Sequence, residues 1–161
     1  MTRPALLLLM ALGAETLDAD NYRAITLTKG ERRVFRVPGL ERVTGNTGRC
    51  IEEGLASGEA ESLYLEALCG GLRTTVAWQS DGRRVQVMVC AEEGGEPPGL
   101  LSLRRSIQVE VRALKGVTAC VRNGRVELWG WVKSEADLKH VVALERKYPD
   151  RVRSFVEMLE P

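Results

Sequence analysis

Short apolar segments alternate with glycine-containing turns along residues 22–92. Val85, Val87 and Val89 recur with a period of two, and they follow the turn dipeptide Asp81-Gly82. A period of two places one face of an extended segment in the core, and an Asp-Gly pair between two such segments is typical of a β-hairpin. The pattern predicts a small antiparallel, sandwich-like β domain over residues 22–92.

The pattern changes after this domain. Residues 93–99 are acidic and rich in glycine and proline, which is typical of a linker. Apolar residues then recur at steps of three and four, which predicts one face of a helix; they are Leu100, Leu103, Ile107, Val111 and Leu114. Because Ile107, Val109 and Val111 also alternate, a strand is an alternative for that part of the segment.

A hairpin, a second helix and a last strand are predicted for the rest of the chain. The turn dipeptide Asn123-Gly124 separates two apolar segments, which is a strong hairpin signal. Ser134 is a suitable N-cap for the helix, and Pro149 marks its end. Residues 152–159 form the predicted last strand. The predicted fold class is α+β, with the β domain followed by an αββαβ domain over residues 100–159.

The first residues have the features of a short secretory signal. Arg3 precedes an apolar run from Ala5 to Leu12, and the small residues Gly13 and Ala14 follow. A transmembrane helix needs about twenty apolar residues, so this run is too short for one. Residues 1–14 are predicted to be a signal peptide, and an ordinary buried N-terminal helix or strand is the alternative.

The cysteines favour disulfides over a metal site. Cys50, Cys69, Cys90 and Cys120 include no C-x-x-C pair, which disfavours zinc and thioredoxin-like chemistry. An even number of cysteines behind an export signal indicates disulfides. We favour a bond between Cys50 and Cys69, because a hairpin closing at Ser57-Gly58-Glu59 would place them opposite each other. In a reducing cytoplasm all four would instead be buried free thiols.

Candidate catalytic groups are few. The single histidine, His140, is predicted on the solvent side of the second helix. Glu52-Glu53 and Glu92-Glu93 are predicted to be solvated loop charges. Arginine pairs such as Arg104-Arg105 are predicted to lie on the surface, with contact to anionic lipid headgroups as an alternative. A net charge of +1 gives no basic surface for nucleic acid. We predict a non-enzymatic protein with no cofactor, no metal and no nucleic-acid partner.

One face of the second hairpin is predicted to carry aromatic residues. If the apolar residues within 126–132 face the helices, then Glu127, Trp129 and Trp131 face away from them, and Phe155 of the last strand can join them. Large aromatic rings are costly to leave in water. Either the first domain or the linker covers this face, or the face is an interface with a subunit or partner, for which these four residues are the candidates.

Residues 100–159 resemble the BON domain, a small fold of bacterial periplasmic osmotic-stress and nodulation proteins. The resemblance rests on the segment Asn123-Gly124-Arg125-Val126-Glu127-Leu128-Trp129-Gly130-Trp131-Val132, followed by Ser134 at the start of a helix. Gly130 shares a strand face with the apolar residues of this segment, so we expect it to let a helix approach closely.

Residues 25–90 resemble the N-terminal periplasmic module of the secretins that serve Tad-type pili. The similar segments are Val34-Phe35-Arg36-Val37, Arg42-Val43 with Gly45-Asn46, and Thr74-Thr75-Val76-Ala77-Trp78 before Asp81-Gly82. In that family a BON domain commonly follows this module.

The two resemblances imply a periplasmic component of a secretin-dependent pilus or secretion apparatus, with association with the outer membrane as one option. Its partner would be a secretin or another protein of the apparatus, or further copies of itself in a ring. A secretin continues into a pore-forming β domain, which residues 1–161 do not include, so a fragment of a longer secretin is an alternative. The second functional hypothesis is a free-standing BON-domain protein that binds phospholipid surfaces during envelope stress.

Overall fold

The computed structural model describes residues 14–17, 22–45, 49–56 and 61–159. Within these ranges the chain forms twelve strands and two helices, which confirms the predicted α+β class. The predicted signal peptide lies outside the described residues, apart from Ala14. The strands are β1 (Glu15–Thr16), β2 (Tyr22–Thr28), β3 (Arg32–Arg36), β4 (Leu40–Gly45), β5 (Ile51–Leu55), β6 (Ser62–Ala67), β7 (Gly71–Gln79), β8 (Arg84–Glu92), β9 (Val117–Arg122), β10 (Arg125–Val132), β11 (Val152–Ser154) and β12 (Glu157–Met158); the helices are α1 (Pro98–Val111) and α2 (Glu135–Lys147).

Strands β1 to β8 form a sandwich-like first unit of two sheets. One sheet has the strand order β1-β3-β6-β5, and the other has the order β2-β8-β7-β4. Side chains from both sheets meet in one hydrophobic core, where Leu27, Phe35, Leu63 and Val87 are fully buried. The alternating pattern produces this core because each strand turns every second side chain toward the opposite sheet.

The prediction of an antiparallel β domain is wrong for two strand pairs. β1 runs parallel to β3, and β2 runs parallel to β8. The consecutive strands β5 and β6 are antiparallel, and so are β7 and β8, which a short turn connects. A tight turn forces its two strands to be antiparallel, but β2 meets β8 only after the chain has formed β3 to β7. No local turn therefore sets the direction of that pairing.

The second unit has the element order α, β, β, α, β. β9 pairs with the central strand β10 in antiparallel fashion, while β11 and β12 both pair with β10 in parallel. The last two strands are thus one strand interrupted at Phe155 and Val156, within the predicted range 152–159. A separate hydrophobic core lies between this sheet and the two helices, and it includes Ile107 and Leu128.

Helix α1 begins inside the predicted linker, at Pro98, and ends at Val111. Proline suits the first turn of a helix, because the N–H group that it lacks has no partner there. Ile107 and Val111 are buried, whereas Val109 is 61% exposed. A strand would place Val109 on the same face as Ile107 and Val111, whereas a helix places it on another face. Because Val109 is exposed, the strand alternative for this segment is wrong.

Candidate interaction surface

Two disulfides hold the described chain together. Cys50 and Cys69 are bonded at the open end of the β5–β6 hairpin, with their Cα atoms 4.5 Å apart. Cys90 of β8 is bonded to Cys120 of β9, with Cα atoms 6.4 Å apart, so this bond joins the two units. All four cysteines are bonded, and the free-thiol alternative is wrong. The predicted turn at 57–59 lies outside the described residues. The two bonds are compatible with an oxidising compartment.

Glu92 joins the two units through its carboxylate. It ends β8 and is 1% exposed. It accepts hydrogen bonds from the backbone N–H of Val121 at 2.8 Å and from Arg104 at 3.2 Å. The predictions of a solvated loop charge at Glu92 and of a free surface arginine at Arg104 are therefore wrong. Alternation along β8 turns Glu92 toward the second unit, while the side chain of Glu93 stays 59% exposed.

The edge strand β2 of the first unit lies along the free edge of β9. The N–H of Ala24 donates to the carbonyl of Lys115 at 3.1 Å, and the hydroxyl of Thr26 donates to the carbonyl of Ala119 at 2.7 Å. The N–H of Ala119 donates to the side chain of Gln108 at 2.9 Å. Open strand edges recruit other chains, so this contact protects both strands from mispairing.

Gly130 is a point of close approach between the units. Its φ of +128° lies in the region that favours glycine. A Cβ atom at this position would overlap the carbonyl oxygen of Gly116 and would lie 3.1 Å from the Cβ of Ala24. The prediction that this glycine admits a helix is wrong. The positive φ of Gly130 interrupts the regular alternation of β10. The absence of a side chain at Gly130 therefore leaves room for the backbone before β9 and for strand β2.

Trp131 packs against the first unit. Its ring meets the edge of the Tyr22 ring, with centroids 6.4 Å apart. Lys133 places its Nζ 5.1 Å from the centroid of Tyr22. Burial raises the pKa of the Tyr22 phenol, and the negative charge of Asp137 raises it further. Here the first unit covers the aromatic face, which is one of the two arrangements that the sequence left open.

Glu127 is a buried charge rather than an accessible interface residue. It is 1% exposed, and its carboxylate accepts hydrogen bonds from the indole of Trp129 at 3.0 Å and from Arg125 at 3.2 Å. Arg122 forms a longer ion pair with it, at 3.9 Å. The prediction of Glu127 as a contact for a partner is therefore corrected. Its carboxylate instead holds the side chains around it in position.

Trp129 and Phe155 form a half-exposed part of the aromatic face. Their rings stack with centroids 4.4 Å apart and planes 9° from parallel. The guanidinium carbons of Arg125 and Arg153 lie 5.8 and 5.6 Å from the Phe155 centroid. We call these four residues the Trp129–Phe155 patch. None of the ion pairs among the described residues involves Arg153, so the patch is cationic.

The candidate catalytic groups do not converge. His140 is exposed on α2 and forms a hydrogen bond with the carbonyl of Glu110 at 3.1 Å. The prediction of a loop charge at Glu53 is wrong, because this residue lies in β5 and pairs with Arg73 at 2.6 Å and with Thr75. In the ranges that the structure describes, no three His, Cys, Asp or Glu side chains are grouped to hold a metal ion.

Comparisons with protein-family models and with curated proteins give no match to this chain. In the described part of the chain, no helix combines the length and the apolar character that a membrane crossing requires.

Proposed function

We propose that this chain is a non-enzymatic periplasmic component of a secretin-dependent, Tad-type pilus or secretion apparatus, and that it acts by docking onto another protein of that apparatus. The resemblances over residues 25–90 and 100–159 support the choice of apparatus. The element order after residue 98 agrees with a BON-like arrangement. The two disulfides support a periplasmic location, where such bonds persist.

The Trp129–Phe155 patch is the observation that carries the docking proposal. A large aromatic ring buries about 150–250 Å² in total, and because Trp129 and Phe155 are already partly buried, the exposed remainder of the two rings contributes on the order of 2 kcal/mol at about 25 cal/mol per Å². Tryptophan and arginine are also the residues that most often dominate binding energy at interfaces. Because Glu127 holds Trp129 and Arg125 in place, little side-chain entropy is lost when a partner binds.

Capture from envelope extracts tests this proposal. The purified full chain is immobilised, and bound proteins are identified by mass spectrometry as secretin or pilus components. We expect Trp129→Ala to reduce capture at least tenfold, since an interface hot spot contributes about 2 kcal/mol or more. Val109→Ala, on an exposed apolar side chain of α1, is the control and should leave capture unchanged.

Trp131 is not a suitable target for the same test, because its contact with Tyr22 makes it part of the junction. The proposal fails if no apparatus component is captured by the wild type, or if Trp129→Ala and Val109→Ala capture the same amount. Direct binding of the purified, identified component to the wild-type chain completes the test.

Phospholipid binding is the second candidate function. The observation that favours it is the presence of two guanidinium groups beside the half-exposed rings of the Trp129–Phe155 patch, since anionic headgroups attract such cations. Sedimentation with phosphatidylglycerol vesicles tests it. Salt-sensitive binding that Arg153→Gln weakens, together with no capture of an apparatus component, would favour this function over docking.

A further inference from the structure

Two arginines flank a tryptophan in one row across the outer face of the β2-β8-β7-β4 sheet. Arg42 of β4 is paired in register with Trp78 of β7, which is paired with Arg84 of β8. Paired residues of neighbouring strands point to the same face. The residues adjacent to this row, Ala77 and Val85, belong to the core, so the row faces away from it.

Both guanidinium groups lie against the same indole ring. The Cζ atoms of Arg42 and Arg84 are 4.7 and 5.8 Å from its centroid. The indole N–H donates to the hydroxyl of Thr44 at 3.0 Å, which helps to hold the ring. Cation–π contact of this kind fixes the guanidinium planes and leaves their N–H groups able to bind an anion. We call Arg42, Trp78 and Arg84 the Arg–Trp–Arg row.

Neither arginine of the row has an acidic partner in the described structure. Both are exposed, and none of the ion pairs among the described residues includes them. The nearest turn carries Asp81, whose carboxylate is held by Arg83 at 2.5 Å. Glu41 precedes Arg42 at a shift in strand register and forms no ion pair with it. Among the described residues, the row therefore presents two positive charges without an acidic partner.

The neighbouring residues on this face do not change that charge. Among the described residues, the adjacent row consists of Thr44, Val76, Gln86 and Tyr22, none of which carries a charge at neutral pH. A third exposed arginine, Arg32, lies 4.2 Å from the ring of Tyr64 on the other sheet, but Glu66 is paired with it in register. Arg32 therefore resembles the row in its aromatic support and differs from it in having an acidic neighbour.

We infer that the Arg–Trp–Arg row binds an acidic segment of a partner protein, through two of that segment's carboxylates. Guanidinium groups cover the indole, so the ring is a poor platform for stacking a base or a sugar. Among the described residues, the exposed large apolar side chains, Leu55, Leu68, Val109 and Met158, lie outside the row, so the row lacks an exposed aliphatic group for insertion into a bilayer. The two guanidinium groups suit carboxylates, because each guanidinium can bind one carboxylate through two parallel N–H bonds.

The spacing of the row fits an extended segment with acidic residues at every second position. Such residues lie about 7 Å apart on one face of an extended chain. β4 and β8 are separated by β7, so their backbones are about 9.5 Å apart, and each arginine side chain reaches inward to the Trp78 ring of β7 that lies between them. This inference rests on the proposed function, because it assigns the acidic segment to the protein onto which the chain docks.

Fluorescence anisotropy tests the inference with a defined probe. The probe is a fluorescein-labelled eight-residue peptide that alternates glutamate and threonine, titrated with the oxidised full chain at low salt. We expect Arg42→Gln and Arg84→Gln each to weaken binding about tenfold, since each substitution removes one bidentate, charge-assisted contact with a carboxylate of the peptide. Arg32→Gln is the matched control and should bind as the wild type does. A glutamine–threonine peptide should not bind.

A double variant with lysine at both positions separates the effect of guanidinium geometry from the effect of charge. Arg42→Lys with Arg84→Lys keeps both charges on exposed positions and removes the bidentate forks, so we expect an affinity between those of the wild type and the glutamine variants. The inference is overturned if the peptide does not bind the wild type, or if Arg32→Gln weakens binding as much as Arg42→Gln. It is also overturned if phosphatidylglycerol vesicles, but not the peptide, bind through Arg42 and Arg84.

The two experiments together distinguish failure of this inference from failure of the proposed function. If an apparatus component is captured equally by the wild type and by the Arg42→Gln, Arg84→Gln double variant, and the peptide does not bind, this inference fails and the proposed function stands. If the peptide binds through both arginines but no apparatus component is captured, the site stands and the proposed function fails.

Discussion

Residues of the same type that are one or two positions apart have different environments in this protein. Glu92 is buried at the junction, while Glu93 forms an exposed ion pair with Lys29. Trp131 packs on Tyr22, while Trp129 stacks on Phe155 in the half-exposed patch. At the residue scale, the side of the strand and the neighbour across it determine the role of a side chain, so the residue type alone does not identify a site.

At this scale Gly130→Ala should strongly destabilise the protein. The new Cβ would overlap the carbonyl oxygen of Gly116 at a φ of +128°, so we expect a loss of about 2–4 kcal/mol in the free energy of unfolding. Urea denaturation measures this loss. Gly99→Ala, which meets nothing within 4 Å, is the control and should change stability by less than about 1 kcal/mol. Equal stability of the two variants would contradict the close approach at Gly130.

At the scale of elements, the two units are joined by polar contacts between individual strands. The N–H of Ala24 in β2 donates to Lys115 just before β9, and the hydroxyl of Thr26 in β2 donates to Ala119 of β9. Glu92 at the end of β8 accepts from the N–H of Val121 in β9. Buried backbone groups need such partners, because an unmade hydrogen bond costs more than a typical bond contributes. The junction between the units is therefore polar at its strand edges and aromatic beside them.

The substitution Glu92→Gln tests the contact that Glu92 makes between the two units. The amide keeps one acceptor for Val121 but leaves Arg104 without its anionic partner, so we expect a loss of about 1–3 kcal/mol in the free energy of unfolding. Glu93→Gln is the matched control next to it. Because Glu93 is exposed, its ion pair with Lys29 should contribute less than about 1 kcal/mol. A larger loss for Glu93→Gln than for Glu92→Gln in thermal or urea unfolding would refute this role of Glu92.

The described part of the molecule has two cores, which are joined by the linker, by the Cys90–Cys120 disulfide and by the noncovalent junction. The first core includes residues from Leu17 to Ala91, and the second includes residues from Leu103 to Val152. Only the Cys90–Cys120 bond spans the linker between them. This bond holds the Trp129–Phe155 patch and the Arg–Trp–Arg row on one covalently closed scaffold.

Removing that bond should loosen the linker selectively. We expect Cys90→Ala with Cys120→Ala to lower the free energy of unfolding by about 3–4 kcal/mol, since the bond closes a loop of 30 residues. Limited proteolysis within residues 93–97 should become faster, because the units open locally. The control is Cys50→Ala with Cys69→Ala, which leaves the junction bonded. Equal cleavage of the linker in both variants would argue against a role of Cys90–Cys120 in closing the junction.

Local patterns were sufficient to predict most of the elements. The period-two segments, the turn dipeptides and the N-cap Ser134, whose hydroxyl accepts from the N–H of Asp137 at 3.1 Å, all correspond to observed structure. These features depend on neighbours within a few residues, so the sequence contains the necessary information. The α+β class follows from them directly.

The tertiary structure alone decided the pairings between distant segments. The parallel contact of β2 with β8, the Cys90–Cys120 bond and the burial of Glu92 all join residues on strands that no short turn connects. The Glu92 carboxylate can be buried only because the guanidinium of Arg104 and the N–H of Val121 bind it. Both groups come from other elements, so no local sequence pattern predicts these contacts. The sequence by itself therefore determined most of the elements and the core-facing side of the regular strands, and the tertiary structure decided which of those sides meet, because contacts between distant segments have no local pattern.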